Sequence, residues 1–321
     1  MSERGPRLQW PGGGLSKIDV QQQWATLRPV FLEAMRAHQL PAEQADRLVD
    51  VYLNLAAWVL RQKRGGTLTV GINGAQGAGK STLCSFLALV LEHVYRQRVA
   101  GFSIDDLYKT RAERERLAHE VHPLFITRGP PGTHDIDLGL NTLTRLHTAT
   151  ADSHTPMPAF DKAADDRRPR ADWPMFTGRP DIIIVEGWCV GIPPEPEANL
   201  RLPMNALEAE ADRDGHWRQT INRALTESYP ALFRQLDRLI FLKVPDMNRV
   251  FEWRGLQEQK LVASFGTGPD RRMDETALRR FIMHYERLTR HALATLPGLA
   301  DLTLELDASH AVARVLEKPV G

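Results

Sequence analysis

The sequence predicts an α/β domain on a mostly parallel five-stranded sheet, preceded by a helical segment. Three observations carry that prediction. From residue 67 onward, short β-branched and aliphatic runs alternate with helical stretches. A glycine-rich pattern of the form G-x-x-x-x-G-K-[ST] lies between the first run and the helix that follows it. Before Gly66 the pattern reads as helix alone.

The elements follow in chain order. Residues 1–14, with Pro6, Pro11 and glycines 12–14, read as a flexible arm. Trp24, Leu27, Phe31 and Met35 recur at helical spacing, with Pro29 as a kink or a late start. Pro41 opens a second helix whose face is Leu48, Tyr52, Leu55 and Val59, and Gly65-Gly66 closes it. Residues 15–66 are expected to pack as a layer on the main domain, the alternative being a partner-binding hairpin. Strands are expected at 67–73, 99–104, 181–185, 238–244 and 302–306, with a helix over 80–97. They lack strict alternation, as strands covered on both faces do. The main domain is then 67–321. Residues 107–180 and 187–236 are too long for simple crossovers and should build a substrate site.

Composition narrows the function. Of 321 residues, 41 are Lys or Arg and 40 are Asp or Glu, so a net charge of +1 argues against a generic nucleic-acid coat. Two cysteines, Cys84 and Cys189, make no disulfide framework and point to a reducing, cytoplasmic setting. No signal-peptide pattern opens the chain, and no apolar run approaches the ~20 residues of a spanning helix. The expected partner is a small molecule, with neither nucleic acid nor membrane involved.

Gly74-Ala75-Gln76-Gly77-Ala78-Gly79-Lys80-Ser81 fits the phosphate-loop pattern at every position, with a strand before it and a helix after it. The glycines let backbone N–H groups turn inward around phosphate oxygens, and the helix N-terminus adds a positive dipole end. Lys80 is expected on the β- and γ-phosphates of ATP and the Ser81 hydroxyl on Mg2+. Thr82 supplies an adjacent hydroxyl one place out of register. This context makes the fold a three-layer P-loop NTPase.

Ligands of open α/β sheets sit beyond the carboxyl ends of strands. Two strands end there in acids, at Asp105-Asp106-Leu107-Tyr108 and at Glu186. Phosphoryl transfer needs one carboxylate near Mg2+ and one that orients the attacking hydroxyl. Asp105 and Glu186 can supply both, and the residues alone do not say which does which. On the substrate side, Arg128-Gly-Pro-Pro-Gly-Thr-His134-Asp135 is a restricted polar loop. Its arginine suits a carboxylate or phosphate, and His134 and Asp135 suit hydroxyls. Lys162, in Phe160-Asp161-Lys162, and Arg168 are further cations. Arg249 and Arg254, after the fourth strand, are candidates for a lid over the transferred group. Trp217, Trp253 and both cysteines read as packing residues, and the histidines show no zinc spacing.

In order, GAQGAGKS, SIDDLY, RGPPGTHD, PAFDKAADDR, IIIVEGW and RVFEWR resemble the D-glycerate 3-kinases of plant and bacterial type. That group lies in the phosphoribulokinase, uridine kinase and pantothenate kinase branch of P-loop kinases. The likeness runs from about Thr67 to Tyr285. It implies a reaction of ATP with D-glycerate to give 3-phosphoglycerate and ADP. It makes Asp105 the expected base, with Asp106 as its alternate and Tyr108 beside them on the substrate side. It gives Glu186 to Mg2+, and Arg249 and Arg254 to the lid. Leu107 departs from the family, where aromatic residues are common. Another small hydroxyl acceptor, nucleoside or pantothenate-like, is the nearest rival. An ATP-binding regulatory protein without transfer activity is the other.

Overall fold

The structure, a computed structural model, describes residues 8–265 and 274–319, with the backbone alone for 258–265. Helix α1, Lys17–Ala37, starts at a capping box between Ser16 and Asp19 and runs through Pro29. Its buried residues are Leu27, Phe31 and Met35, the expected face. Helix α2, Ala45–Gln62, begins after a short 3-10 turn that follows Pro41. The first strand is β1, Leu68–Gly74, buried along its whole length. Helix α3, Lys80–His93, follows the phosphate loop. It ends before the expected residue 97, and Arg96 lies in the left-handed region (φ 54°), where helix cannot continue. Strand β2 is Val99–Ser103.

The first insertion holds α4, Arg111–Glu120, and α5, Ile136–His147. It also holds the short strands β3, His154–Pro156, β4, Phe160–Asp161, β5, Asp166–Arg167, and β6, Met175–Thr177. Strand β7, Ile182–Gly187, returns to the sheet. The second insertion carries α6, Ala206–Ala211, α7, His216–Glu227, and α8, Tyr229–Phe233. Then come β8, Arg238–Lys243, α9, Met247–Phe265, and α10, Glu275–Leu299. Strands β9, Leu302–Leu306, and β10, Val312–Glu317, complete the described chain.

The main sheet has six strands in the order β10-β9-β8-β1-β7-β2. Five are parallel, as expected, and β10 adds a sixth, antiparallel edge that the sequence pattern does not announce. Only Val315 of that strand is buried, so its apolar signal is weak. Along β7, Ile182 and Ile184 join one hydrophobic core while Ile183 and Val185 join the other. That division is what a sheet covered on both faces requires. Register sets the site: Ser103 pairs with Glu186, and Ile72, near the end of β1, pairs with Glu186 from the other side. The carboxyl ends of β1, β7 and β2 therefore lie side by side.

The N-terminal helices share a core with α3. Phe31 lies 4.7 Å from Phe86, and Tyr52 stacks on Phe86 at 5.0 Å. The flexible arm expected over 1–14 is not what its described part shows. Trp10 is buried in this core, and Arg61 donates to the Pro11 carbonyl at 2.9 Å. An indole gains more from burial than a loose tail gains from freedom. Among the described residues, no helix is long and apolar enough to cross a membrane.

Candidate active site

The phosphate loop bends where its glycines permit it. Gly77 (φ 75°) and Gly79 (φ 89°) occupy the left-handed region, and Gly79 is the N-cap of α3. Gly77 is also a point of close approach. A Cβ there would lie 3.0 Å from the Trp253 carbonyl carbon and 3.0 Å from the Arg254 nitrogen. Helix α9 thus rests directly on the loop. The Gly77 carbonyl meets His310 Nε2 at 3.0 Å, and the His310 ring stacks on Trp253 at 3.5 Å. The turn between β9 and β10 therefore braces the same spot. Lys80 Nζ donates to the Ala75 carbonyl at 3.0 Å, so its ammonium curls over the loop. Ala75 and Ala78 are buried, and the Gln76 side-chain oxygen is enclosed with no hydrogen bond among the described residues. Thr82 turns the other way, toward His38 Nδ1 at 3.5 Å, so its hydroxyl faces the N-terminal helices rather than the loop. Being one residue out of register places it on a different side of α3.

Ser81 Oγ donates to Glu186 Oε1 at 3.2 Å. The other oxygen, Glu186 Oε2, is enclosed and has no hydrogen bond among the described residues. One hydroxyl and one underused carboxylate beside a phosphate loop form the donor set Mg2+ accepts together with phosphate oxygens. The residues fit that ion.

The neighbouring aspartates are placed differently. Asp105 Oδ1 accepts from the Tyr108 phenol at 2.7 Å and Oδ2 from Lys162 Nζ at 2.7 Å. Burial pushes its pKa up, but the Lys162 ammonium and the two hydrogen bonds outweigh it and hold the carboxyl at about 2. Asp106 faces the backbone, taking N–H bonds from Ser103 at 3.0 Å and Phe160 at 3.4 Å. It closes the capping box of the 3-10 turn Ile104–Leu107. Burial, and the charge of Asp105 beside it, raise its pKa to about 6.

The loop from Arg128 to Asp135 departs from expectation in two places. The Arg128 guanidinium is already paired with the Asp165 carboxylate, and it lies 5.5 Å from the Phe160 ring centre. Its fork is therefore not open to a ligand in this geometry. Asp135 caps α5 by accepting from Leu138 N–H at 3.0 Å, and it pairs with Arg167 at 3.2 Å. Its carboxylate is committed to structure, because an acid before a helix satisfies the first-turn N–H groups. His134 is buried, bonds Tyr229 through Nδ1, and stacks on Tyr108 at 4.9 Å. Burial pulls its pKa down to about 4, so the ring is neutral at physiological pH. Arg168 is exposed, and its backbone rather than its side chain is tied into the hairpin, through the Ala159 carbonyl at 3.0 Å.

On α9, Arg249 pairs with Glu252 of its own helix. Arg254 lies 5.4 Å from the Phe281 ring centre, its backbone against Gly77. Of the two expected lid arginines, Arg254 is the one whose backbone meets the phosphate loop. Trp217 and Trp253 are buried packing residues.

Four residues of the site carry no sequence signal of their own: Asp165, Tyr229, Tyr285 and His310. Asp165 lies in the PAFDKAADDR stretch, but a charge in a mixed run looks like a solvated face. The other three reach the site from 95 or more residues away, as in Tyr229 to His134, Tyr285 to the Arg128 carbonyl at 2.8 Å, and His310 to Gly77. No local pattern announces such contacts.

Comparison with known proteins follows the same lines. No family model matches the chain. An uncharacterized kinase of Schizosaccharomyces pombe, mug58, is 32% identical over 234 residues, spanning 69% of this chain and 79% of that one. The chloroplastic D-glycerate 3-kinase of Arabidopsis thaliana is 29% identical over 195 residues, 58% of this chain and 40% of that one. The solved D-glycerate 3-kinase of Cryptococcus neoformans var. grubii superposes with a TM-score of 0.70 at 25% identity, covering 83% of this chain and 99% of that one. With the phosphate loop in place, the chain is an ATP-dependent kinase, and it belongs to the family of P-loop kinases that includes the D-glycerate 3-kinases.

Proposed function

We propose that the protein transfers the γ-phosphoryl group of ATP to a hydroxyl of a small hydroxy acid, with D-glycerate as the first candidate and 3-phosphoglycerate as its product. The observation that carries this reading is the placement of Asp105. It follows the end of β2, whose Ser103 is in register with Glu186, and Glu186 in turn meets Ser81 of the phosphate loop. An ionised carboxylate thus stands beside the metal-binding pair, among cations suited to an anionic acceptor.

In this reading the acceptor hydroxyl is oriented by Asp105 and its oxygen attacks the γ-phosphorus. The bond to the bridging oxygen of ADP breaks, and the hydroxyl proton passes to the carboxylate. Lys80 and Arg254 offset charge on the phosphoryl oxygens. Bound Mg2+, at Ser81 and Glu186, would neutralise part of that charge. Asp106, held by backbone N–H groups, keeps the turn in shape. A nucleoside acceptor is less suited. Tyr108 and His134 are buried against each other, so neither offers an open face for a base.

The test is an ATP-dependent phosphorylation assay on D-glycerate, L-glycerate, glycerol, pantothenate and uridine. The expected order has D-glycerate well ahead in kcat/KM. Turnover of uridine or pantothenate ahead of both glycerates would replace the reading, and ATP binding without transfer to any of them would favour a regulatory role.

A further inference from the structure

The turn between β4 and β5 brings one cation and one anion to the acceptor side. Lys162, at its start, pairs with Asp105 at 2.7 Å, and Asp165, near its end, pairs with Arg128. The two pairs touch each other, because Arg128 Nη2 also reaches the Lys162 carbonyl at 3.4 Å. Phe160 underlies both, with Tyr108 edge-on at 5.1 Å and Arg128 at 5.5 Å. A hydroxy acid brings a carboxylate for an arginine and a hydroxyl for a carboxylate. The turn already presents a carboxylate to that arginine and an N–H donor to that carboxylate.

We propose that the Lys162–Asp165 turn is an internal competitor for the acceptor site, and that a hydroxy acid binds by exchanging both ion pairs. This rests on the acceptor reading given above. The acceptor carboxylate takes Arg128 from Asp165, and the acceptor hydroxyl takes Asp105 from Lys162. Asp165 then sets specificity: an acceptor without a carboxylate cannot displace it.

Three features make the exchange feasible. Both pairs reach solvent in part, with side-chain exposures of 29% and 35% for Arg128 and Asp165, and 63% and 24% for Lys162 and Asp105. Solvent screens such partly exposed pairs, so a ligand bearing both groups can compete for them. Asp165 also has a second partner. Arg114, which is buried, bonds its carboxylate at 3.1 Å and its carbonyl at 2.6 Å. Losing Arg128 therefore does not leave Asp165 unpaired. Finally, Asp165 lies at φ 56°, in the left-handed region that aspartate tolerates in turns, so a tight turn rather than a strand presents its carboxylate.

The experiment is calorimetric binding of D-glycerate and glycerol, with ADP and Mg2+ present, to wild type, Asp165→Asn, Arg128→Gln and the double variant. Removing the competing carboxylate should tighten D-glycerate binding by roughly three- to fivefold. The gain should vanish in the Arg128→Gln background, where there is nothing to compete for. Because Asp165→Asn also deprives Arg114 of a charge, wild type supplies a second measurement. Carbodiimide should link Lys162 to Asp105, and D-glycerate should suppress that link more than an equal concentration of acetate, which consumes the reagent equally but has no hydroxyl to take Asp105. Wild type that phosphorylates D-glycerate while the link persists overturns the exchange alone, as does Asp165→Asn binding no tighter than wild type when folded. Wild type that neither binds nor phosphorylates D-glycerate overturns the acceptor reading and the exchange with it.

Discussion

On the phosphate side, the loop is one unbroken segment from Gly74 to Ser81, whose positive charge comes from Lys80, backbone N–H groups and a helix end. On the acceptor side, Asp105, Arg128, His134, Lys162 and Asp165 come from three separate segments, held together by side-chain pairs. A backbone-built site needs glycine and close packing. A side-chain-built site needs counter-charges, and each of those is a possible competitor for the ligand. In the proposed reading, the second is where acceptor specificity is set.

The largest expected effect tests the acceptor side. Asp105→Asn should lower kcat by about 10²–10⁴ while leaving the KM for ATP nearly unchanged. Steady-state kinetics beside Asp106→Asn decides the assignment: a larger kcat defect in the Asp106 variant would reverse the two roles. Next comes the phosphate side. Lys80→Ala should reduce kcat on the order of 10²–10³, with the melting temperature close to wild type. Undiminished turnover in that variant would remove the lysine from the mechanism.

Gly77→Ala sharpens the contrast, because it alters no charge. The added methyl meets backbone of α9 at 3.0 Å, and the φ of 75° is unfavourable to any side chain. A loss of about 2 kcal/mol in stability is expected from chemical denaturation. A variant as stable as wild type would mean that α9 yields easily and does not brace the loop.

The smallest effect concerns pH, and it separates the paired aspartates. The Asp106 pKa is raised to about 6, above the unfolded value, so its ionisation disfavours the folded state as pH rises through that range. Asp106→Asn should therefore gain roughly 1–2 kcal/mol relative to wild type between pH 5 and pH 8. Asp105, held at about 2, has the opposite sign. The stability it contributes above the unfolded value is lost only as pH falls toward 2. Urea melts across pH for wild type and Asp106→Asn measure the difference. A pH-independent gap would show that Asp106 carries no such burden.

Much of the fold and of the phosphate side is legible in the residue order. The sheet strands carry dense aliphatic runs, since burial on both faces leaves few positions for a polar residue. The phosphate loop is readable because its geometry is local: strand, glycines, lysine and helix start are consecutive. Asp105 and Glu186 are readable because each lies at or just beyond the end of such a strand. Less is readable at the edges. Strand β10 exposes most of its side chains, and Trp10 lies in a stretch whose prolines and glycines suggest a free tail.

What the amino-acid order determined by itself is the set of features fixed by neighbours along the chain, namely element types, the loop that binds phosphate and the acids at strand ends. Only the tertiary structure decided how the side chains share their partners. It turned Asp106 and Asp135 to backbone, and committed Arg128 to Asp165 and Lys162 to Asp105. The physical reason is that backbone conformation depends on local sterics and local hydrogen bonds, whereas a long charged side chain takes whichever counter-charge folding brings within reach. That choice is set by distance in space, and spacing in sequence does not record it.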